Sequence, residues 1–207
     1  MSVTVQPAPA RTDVPATTSI AAVRRTGWMV AAGAATWATA MFIANPQSTD
    51  STDILINDLG GLPFQIALFA LVTTQLRTAA TGVTRVARGM LRVEYALLTL
   101  ATLWTVLHAL LPSQRDAIWL GVLDVFWPLS MLGMFIIGVK IAFAGRWKGV
   151  ARFWPLVAES WAVVTVPVFG ILGATAGQYV GAGHLLVGYA VLGLILARRP
   201  HLTGAQS

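Results

Sequence analysis

The sequence contains no cysteine. Disulfides, iron–sulfur clusters, thiolate zinc sites and covalently attached c-type haem are therefore excluded, and histidine and carboxylate are the only strong metal ligands left. Charge is scarce too. Of 207 residues, 11% are Asp, Glu, Lys or Arg, against about 25% in soluble domains. No HExxH, GxSxG or Gly-rich phosphate loop occurs, so no catalytic residue is assigned and nothing directs the reading to a hydrolase or a nucleotide enzyme. What the chain has instead is apolar surface, with 56% hydrophobic residues. That composition belongs in lipid and predicts an all-α integral membrane bundle. The net charge of +6 would suggest nucleic acid in a soluble protein. Here the basic residues lie between apolar runs, where they set orientation in a membrane, and no nucleic-acid partner is expected.

Apolar runs at 27–44, 62–80, 92–112, 118–142, 154–175 and 177–198 predict six transmembrane helices within a membrane domain of residues 23–199. The Pro-, Ala- and Thr-rich residues 1–22 carry too little apolar surface to order themselves and read as a disordered cytoplasmic tail, with 200–207 as a short tail at the other end. Arg24 and Arg25 precede an apolar run as in a secretory signal, but no A-x-A site closes the run, so an uncleaved first span is expected. The second run is interrupted by Gln65, Thr73, Thr74 and Gln75, which suits a tilted or partly buried segment. Thirteen of the fourteen basic residues fall on one side of this arrangement, leaving Arg115 on the other with Asp50, Asp53, Asp58 and Asp116. Both termini should then be cytoplasmic. The Ala-, Gly- and Arg-rich character points to a multi-pass protein of a bacterial inner membrane, and no motif names a family.

Two local repeats add detail. STDSTD at 48–53 lacks the Gly and terminal Glu of a calcium loop and reads as a solvated capping segment. Phe126-Trp127-Pro128-Leu129 is echoed by Phe153-Trp154-Pro155-Leu156. Pro155 is expected in a first helical turn, and Pro128 inside a span, where it removes the hydrogen bond to the carbonyl of Asp124.

The ionisable residues inside the runs carry the functional question. Asp124 costs about 2.5–3.5 kcal/mol to insert, which calls for a partner, a wet cavity or a proton. Gly177, Gly181, His184 and Gly188 share one helix face, so His184 should point into the bundle. Glu94, Ala101 and His108 share another. Counted from the run ends, Asp124 and His184 lie about 10 Å inside the outer boundary and His108 about 5 Å inside it. These three are the candidates for a polar cavity in the outer leaflet. At the inner surface Glu94, Lys140 and Glu159 read as paired or snorkelling charges, with Lys140 and Glu159 as an ion pair.

The function expected from this pattern is a non-enzymatic small carrier or a membrane partner protein. The glycine faces allow a homo-oligomer or association with other membrane proteins. The alternative is a redox protein with one b-type haem between His108 and His184. A divalent metal or a proton relay on His108, Asp124 and His184 is a third use of the same groups. An inverted repeat of three spans plus three would carry an outer-leaflet residue of span three to the inner leaflet of span six, so the histidine pair did not arise by such duplication. Pro128 and Pro167 interrupt spans four and five and suit a substrate path or hinge there.

Overall fold

A computed structural model describes residues 18–206. Most of the expected N-terminal tail, residues 1–17, lies outside the described residues. Among the described residues the regular structure is helical, apart from one isolated bridge between Ser19 and Gln206. In order come α1 (Ile20–Ile43), α2 (Ser51–Arg77), α3 (Arg85–Leu110), α4 (Ile118–Asp124), α5 (Phe126–Ala144), α6 (Gly149–Glu159), α7 (Trp161–His184), a π turn (Leu185–Ala190) and α8 (Val191–Arg198). Among the described residues, four helical runs are long and apolar enough to cross a membrane: Ser51–Arg77, Arg85–Leu110, Ile118–Ala144 and Gly149–Arg198.

The last run has 50 residues, about 75 Å if straight and far more than a hydrocarbon core of roughly 30 Å. It folds back on itself at Gly173, which adopts φ 85° and ψ 177°, a backbone region that only glycine enters without strain. Across the fold, Trp161 Nε1 donates to the Gly181 carbonyl at 2.9 Å and Trp154 Nε1 to the Gly188 carbonyl at 3.0 Å. The fifth and sixth apolar runs are thus the two arms of one antiparallel hairpin.

Helix starts follow their caps. Ser19, Asp50 and Thr84 accept the first free amides of α1, α2 and α3. Asp50, within STDSTD, takes the amides of Thr52 at 2.8 Å and Asp53 at 3.2 Å. This cap begins α2 eleven residues before the apolar run at 62. The polar interruptions in α2 turn inward and bind neighbours: Gln65 Nε2 donates to Thr105 Oγ1 at 2.7 Å, Thr74 shares a bond with Thr26 at 3.0 Å, and Thr73 contacts the Tyr95 hydroxyl. Interhelical bonds of this kind are a main adhesive where lipid removes the hydrophobic drive between helices.

α1 is the central helix, packed against α2, α7, α8 and the π turn. Its crossing with α8 is a backbone contact at Gly27 and Gly193, where a Cβ on either residue would meet the other's carbonyl oxygen at 2.5 Å. Of the two Phe-Trp-Pro-Leu copies, Pro128 lies inside the run Ile118–Ala144 as expected, while Pro155 is not in a first turn. Helix α4 ends at Asp124 and α5 starts at Phe126, so Pro128 sits in a first turn, whereas Pro155 lies inside α6. The C-terminal residues pack instead of trailing: Lys148 N donates to the Leu202 carbonyl at 2.8 Å and Gln206 pairs with Thr18 and Ile20. The helix beginning at Ile20 likewise enters the stretch read as tail.

Candidate functional site

The antiparallel helices give the bundle an arginine-rich end and an opposite end that carries the α1–α2 connection, the α3–α4 connection and the Gly173 turn. At this second end an open cavity of about 430 Å³ reaches down between α1, α2, α3, α5 and α7. Its walls are aromatic. Trp37, Trp127 and Trp161, from three different helices, contact one another with ring centroids 5.3–5.6 Å apart, and Trp104 and Phe169 complete the wall. Into this apolar space project Asn57, Asp58, Gln65, Thr105 and Asp124. A cleft walled largely by apolar and aromatic residues with several convergent polar groups is the usual form of a small-molecule site.

His108, in the last turn of α3, stands beside the cavity. Its Nδ1 bonds Asp58 Oδ2 at 2.7 Å and its ring stacks on Trp104 at 4.6 Å. The His108 carbonyl accepts from Arg115 Nε at 3.1 Å, and Arg115 Nη1 also reaches Ser51 Oγ at 3.3 Å. Trp104 and His108 are one helical turn apart, so this stack was readable from spacing. Asp58 was not: it precedes the apolar run and is recruited because the Asp50 cap starts the helix early. Asp124 terminates α4, is exposed, and borders the same cavity.

His184 goes elsewhere. The hairpin turns at Gly173, so His184 is eleven residues from the turn, about 16 Å along the helix, not seven from a run boundary. Its Nε2 lies 3.2 Å from Ser160 Oγ on the other arm of the hairpin. His184 does not line the open cavity, and His108 and His184 are held by different partners. Among the described residues, no group of three or more His, Asp or Glu converges as a metal site does.

The expected ion pair of Lys140 with Glu159 is absent, and Glu94 has no cationic partner either. The contact between His108 and Asp58 is the one ion pair among the described residues. Glu159 faces α5 at Gly138. Lys140, two residues on, is rotated about 200° from that face and is exposed. Both glutamates are instead buried, each 1% exposed, with neutral partners. Ser130 Oγ donates to Glu94 Oε1 at 2.6 Å and Gln75 Nε2 to Glu159 Oε1 at 2.7 Å. The second oxygen of each carboxyl has no partner, nor does the buried hydroxyl of Tyr189. Glu94 is also deeper than its apolar run suggested, because α3 starts at Arg85 and places it nine residues, about 14 Å, along the helix.

Comparison with family models, with curated proteins and with solved structures finds no match for this chain.

Proposed function

We propose that the chain is a six-span protein of a bacterial inner membrane, both termini cytoplasmic, that binds and carries a small solute without chemically altering it. The observation that carries this reading is the open cavity, with its tryptophan walls and the polar groups Asp58, Gln65, Thr105 and Asp124. A volume of about 430 Å³ falls in the range of small-molecule sites, about 300–1,000 Å³. The hairpin at Gly173 supports six passages, since each arm of the final run then has the length of a single span. The gathering of basic residues at one end supports the orientation, with the cavity opening on the outer side.

The test is uptake by proteoliposomes loaded or challenged with a panel of small polar and cationic solutes. Protein-dependent uptake of at least one solute, strongly reduced in Asp124→Asn and in Trp161→Ala, is the expected result. Uptake that both variants leave at the level of the unmodified protein would remove the cavity from the mechanism.

A further inference from the structure

Glu94 poses a problem of charge. It is 1% exposed, and Ser130 on α5 supplies a neutral hydrogen bond to one oxygen. The other oxygen has no partner and looks over Gly133, where any side chain would collide with it, into a groove between α3 and α5 lined otherwise by residues such as Val93, Leu97, Leu132 and Ile136. The titratable groups within electrostatic range are Glu159 from α6 and Tyr189 from the π turn, and neither offers a positive charge. The hydrogen-bond partner of Glu94 from α5 is Ser130, and no Lys, Arg or His forms an ion pair with Glu94 among the described residues. A bare carboxylate in such a place costs several kcal/mol. A proton removes that cost.

A route for this proton exists. Gln65 and Trp127 line the open cavity and also a smaller void directly beneath it, which Ser130 borders from the other side. The void is about 10 Å³, close to what one water requires, and a buried water needs at least two polar partners. Gln65 Oε1 is buried without a partner, while its amide nitrogen donates to Thr105 Oγ1. Ser130 Oγ is the second partner. The order is therefore open cavity, Gln65, void, Ser130, Glu94.

We infer that Glu94 is a proton-binding site served from the solute cavity through one water held between Gln65 and Ser130. In the step, the water takes a proton from the cavity solution and passes one of its own to Ser130 Oγ, while Ser130 gives its hydroxyl proton to Glu94 Oε1. The carboxylate becomes a carboxylic acid, one proton is consumed, and Ser130 and the water end as they began. The inference rests on the reading of the cavity as the solute site and adds that the same cavity delivers a proton to Glu94.

Infrared difference spectroscopy of the reconstituted protein tests this. Carbonyl absorption of protonated carboxyls is expected near neutral pH, with one component lost in Glu94→Gln and that component kept in Glu159→Gln. On transfer to heavy water this band should shift by exchange, several-fold more slowly in Ser130→Ala and in Gln65→Leu, and at the original rate in Ser130→Thr, which keeps the hydroxyl and checks that slowing is not a folding defect. A spectrum that Glu94→Gln leaves unchanged overturns the site. Exchange that neither Ser130→Ala nor Gln65→Leu slows overturns the route. Uptake in proteoliposomes separates this inference from the carrier reading. If the band and its exchange behave as stated but no solute is taken up, the proton site stands and the carrier reading falls. If a solute is taken up but the band does not belong to Glu94, the carrier stands and the proton site falls.

Discussion

Substituting Gly193 by alanine should separate α1 from α8. The added Cβ would lie 2.5 Å from the Gly27 carbonyl oxygen, and the same holds in reverse for a Cβ on Gly27. Ordinary contact begins near 3.4 Å, a shortfall of about 0.9 Å. Both obstacles are backbone atoms, so no rotamer change relieves them and the helices must move apart. A radial gap of about 0.5–1 Å forfeits roughly a quarter to a half of the dispersion attraction along the contact, and overpacking of a tight interior costs about 1–3 kcal/mol. Against this, alanine stabilises a helix by roughly 0.5–1 kcal/mol relative to glycine. The net expectation is a loss of about 1–2 kcal/mol for Gly193→Ala or Gly27→Ala. Because both substitutions act on one crossing, the double variant should lose less than the sum. Gly183→Ala is the internal control: nothing lies within 4 Å of its Cβ position, and it should leave stability unchanged or slightly raised. Unfolding in mixed detergent followed by tryptophan fluorescence reads all four. Equal stability of Gly193→Ala and Gly183→Ala would refute the reasoning.

Three other outcomes are expected. His108 and Asp58 are shielded, their side chains 20% and 11% exposed, so His108→Gln and Asp58→Asn should each cost about 1.5–3 kcal/mol, as for hydrogen bonds to charged groups. Their double-mutant cycle should show a coupling above roughly 0.5 kcal/mol, and additive losses would mean that the pair contributes nothing. Gly173→Ala should destabilise by about 1–3 kcal/mol although nothing lies near the added methyl, because a backbone at φ 85° and ψ 177° is essentially restricted to glycine; a thermal melt identical to that of the unmodified protein would contradict this. The amides of Thr52 and then Asp53 hold the Asp50 carboxyl below its usual value of 3.8. A depressed folded value stabilises above the unfolded value and is lost as pH falls through the folded one. The first turn of α2 should therefore open below about pH 4, seen as faster amide exchange at Thr52 and Asp53, and Asp50→Asn, which keeps an acceptor without a titrating charge, should abolish the pH dependence.

The helical, lipid-suited character of the chain was legible because it depends on composition and run length, which need no partner. Helix starts were less so: the apolar run at 62 concealed that Asp50 caps α2 at Ser51, and the run at 92 concealed that Thr84 caps α3 at Arg85. Those two shifts moved Asp58 into the cavity and Glu94 away from the surface. The pairing of charges failed for a different reason. Lys140 and Glu159 are close in sequence across a short loop, but the face that α5 turns to α6 is set by Gly138, and a rotation of about 200° carries Lys140 away from it. His184 was misplaced in depth because the reversal falls at Gly173, before the boundary that hydropathy suggests. The tryptophan wall could not be read at all, since Trp37, Trp104, Trp127 and Trp161 lie on four helices with no spacing rule among them. Pro128 is an intermediate case: it was expected to interrupt the fourth run by freeing the Asp124 carbonyl, and α4 does end at Asp124, yet Val125 keeps a helical backbone and the run Ile118–Ala144 continues through the interruption.

The proposed orientation puts the cavity on the outside of the bundle and the arginine-rich end in the cytoplasm. Because the chain contains no cysteine, a single introduced thiol reports one position without background. Asp124→Cys, at the cavity, and Lys148→Cys, at the arginine-rich end, should be exposed to a membrane-impermeant thiol reagent in intact bacterial cells and again after permeabilisation. Labelling of Asp124→Cys in intact cells and of Lys148→Cys only after permeabilisation is expected. Labelling of Lys148→Cys in intact cells, with Asp124→Cys protected until the membrane is opened, would contradict it.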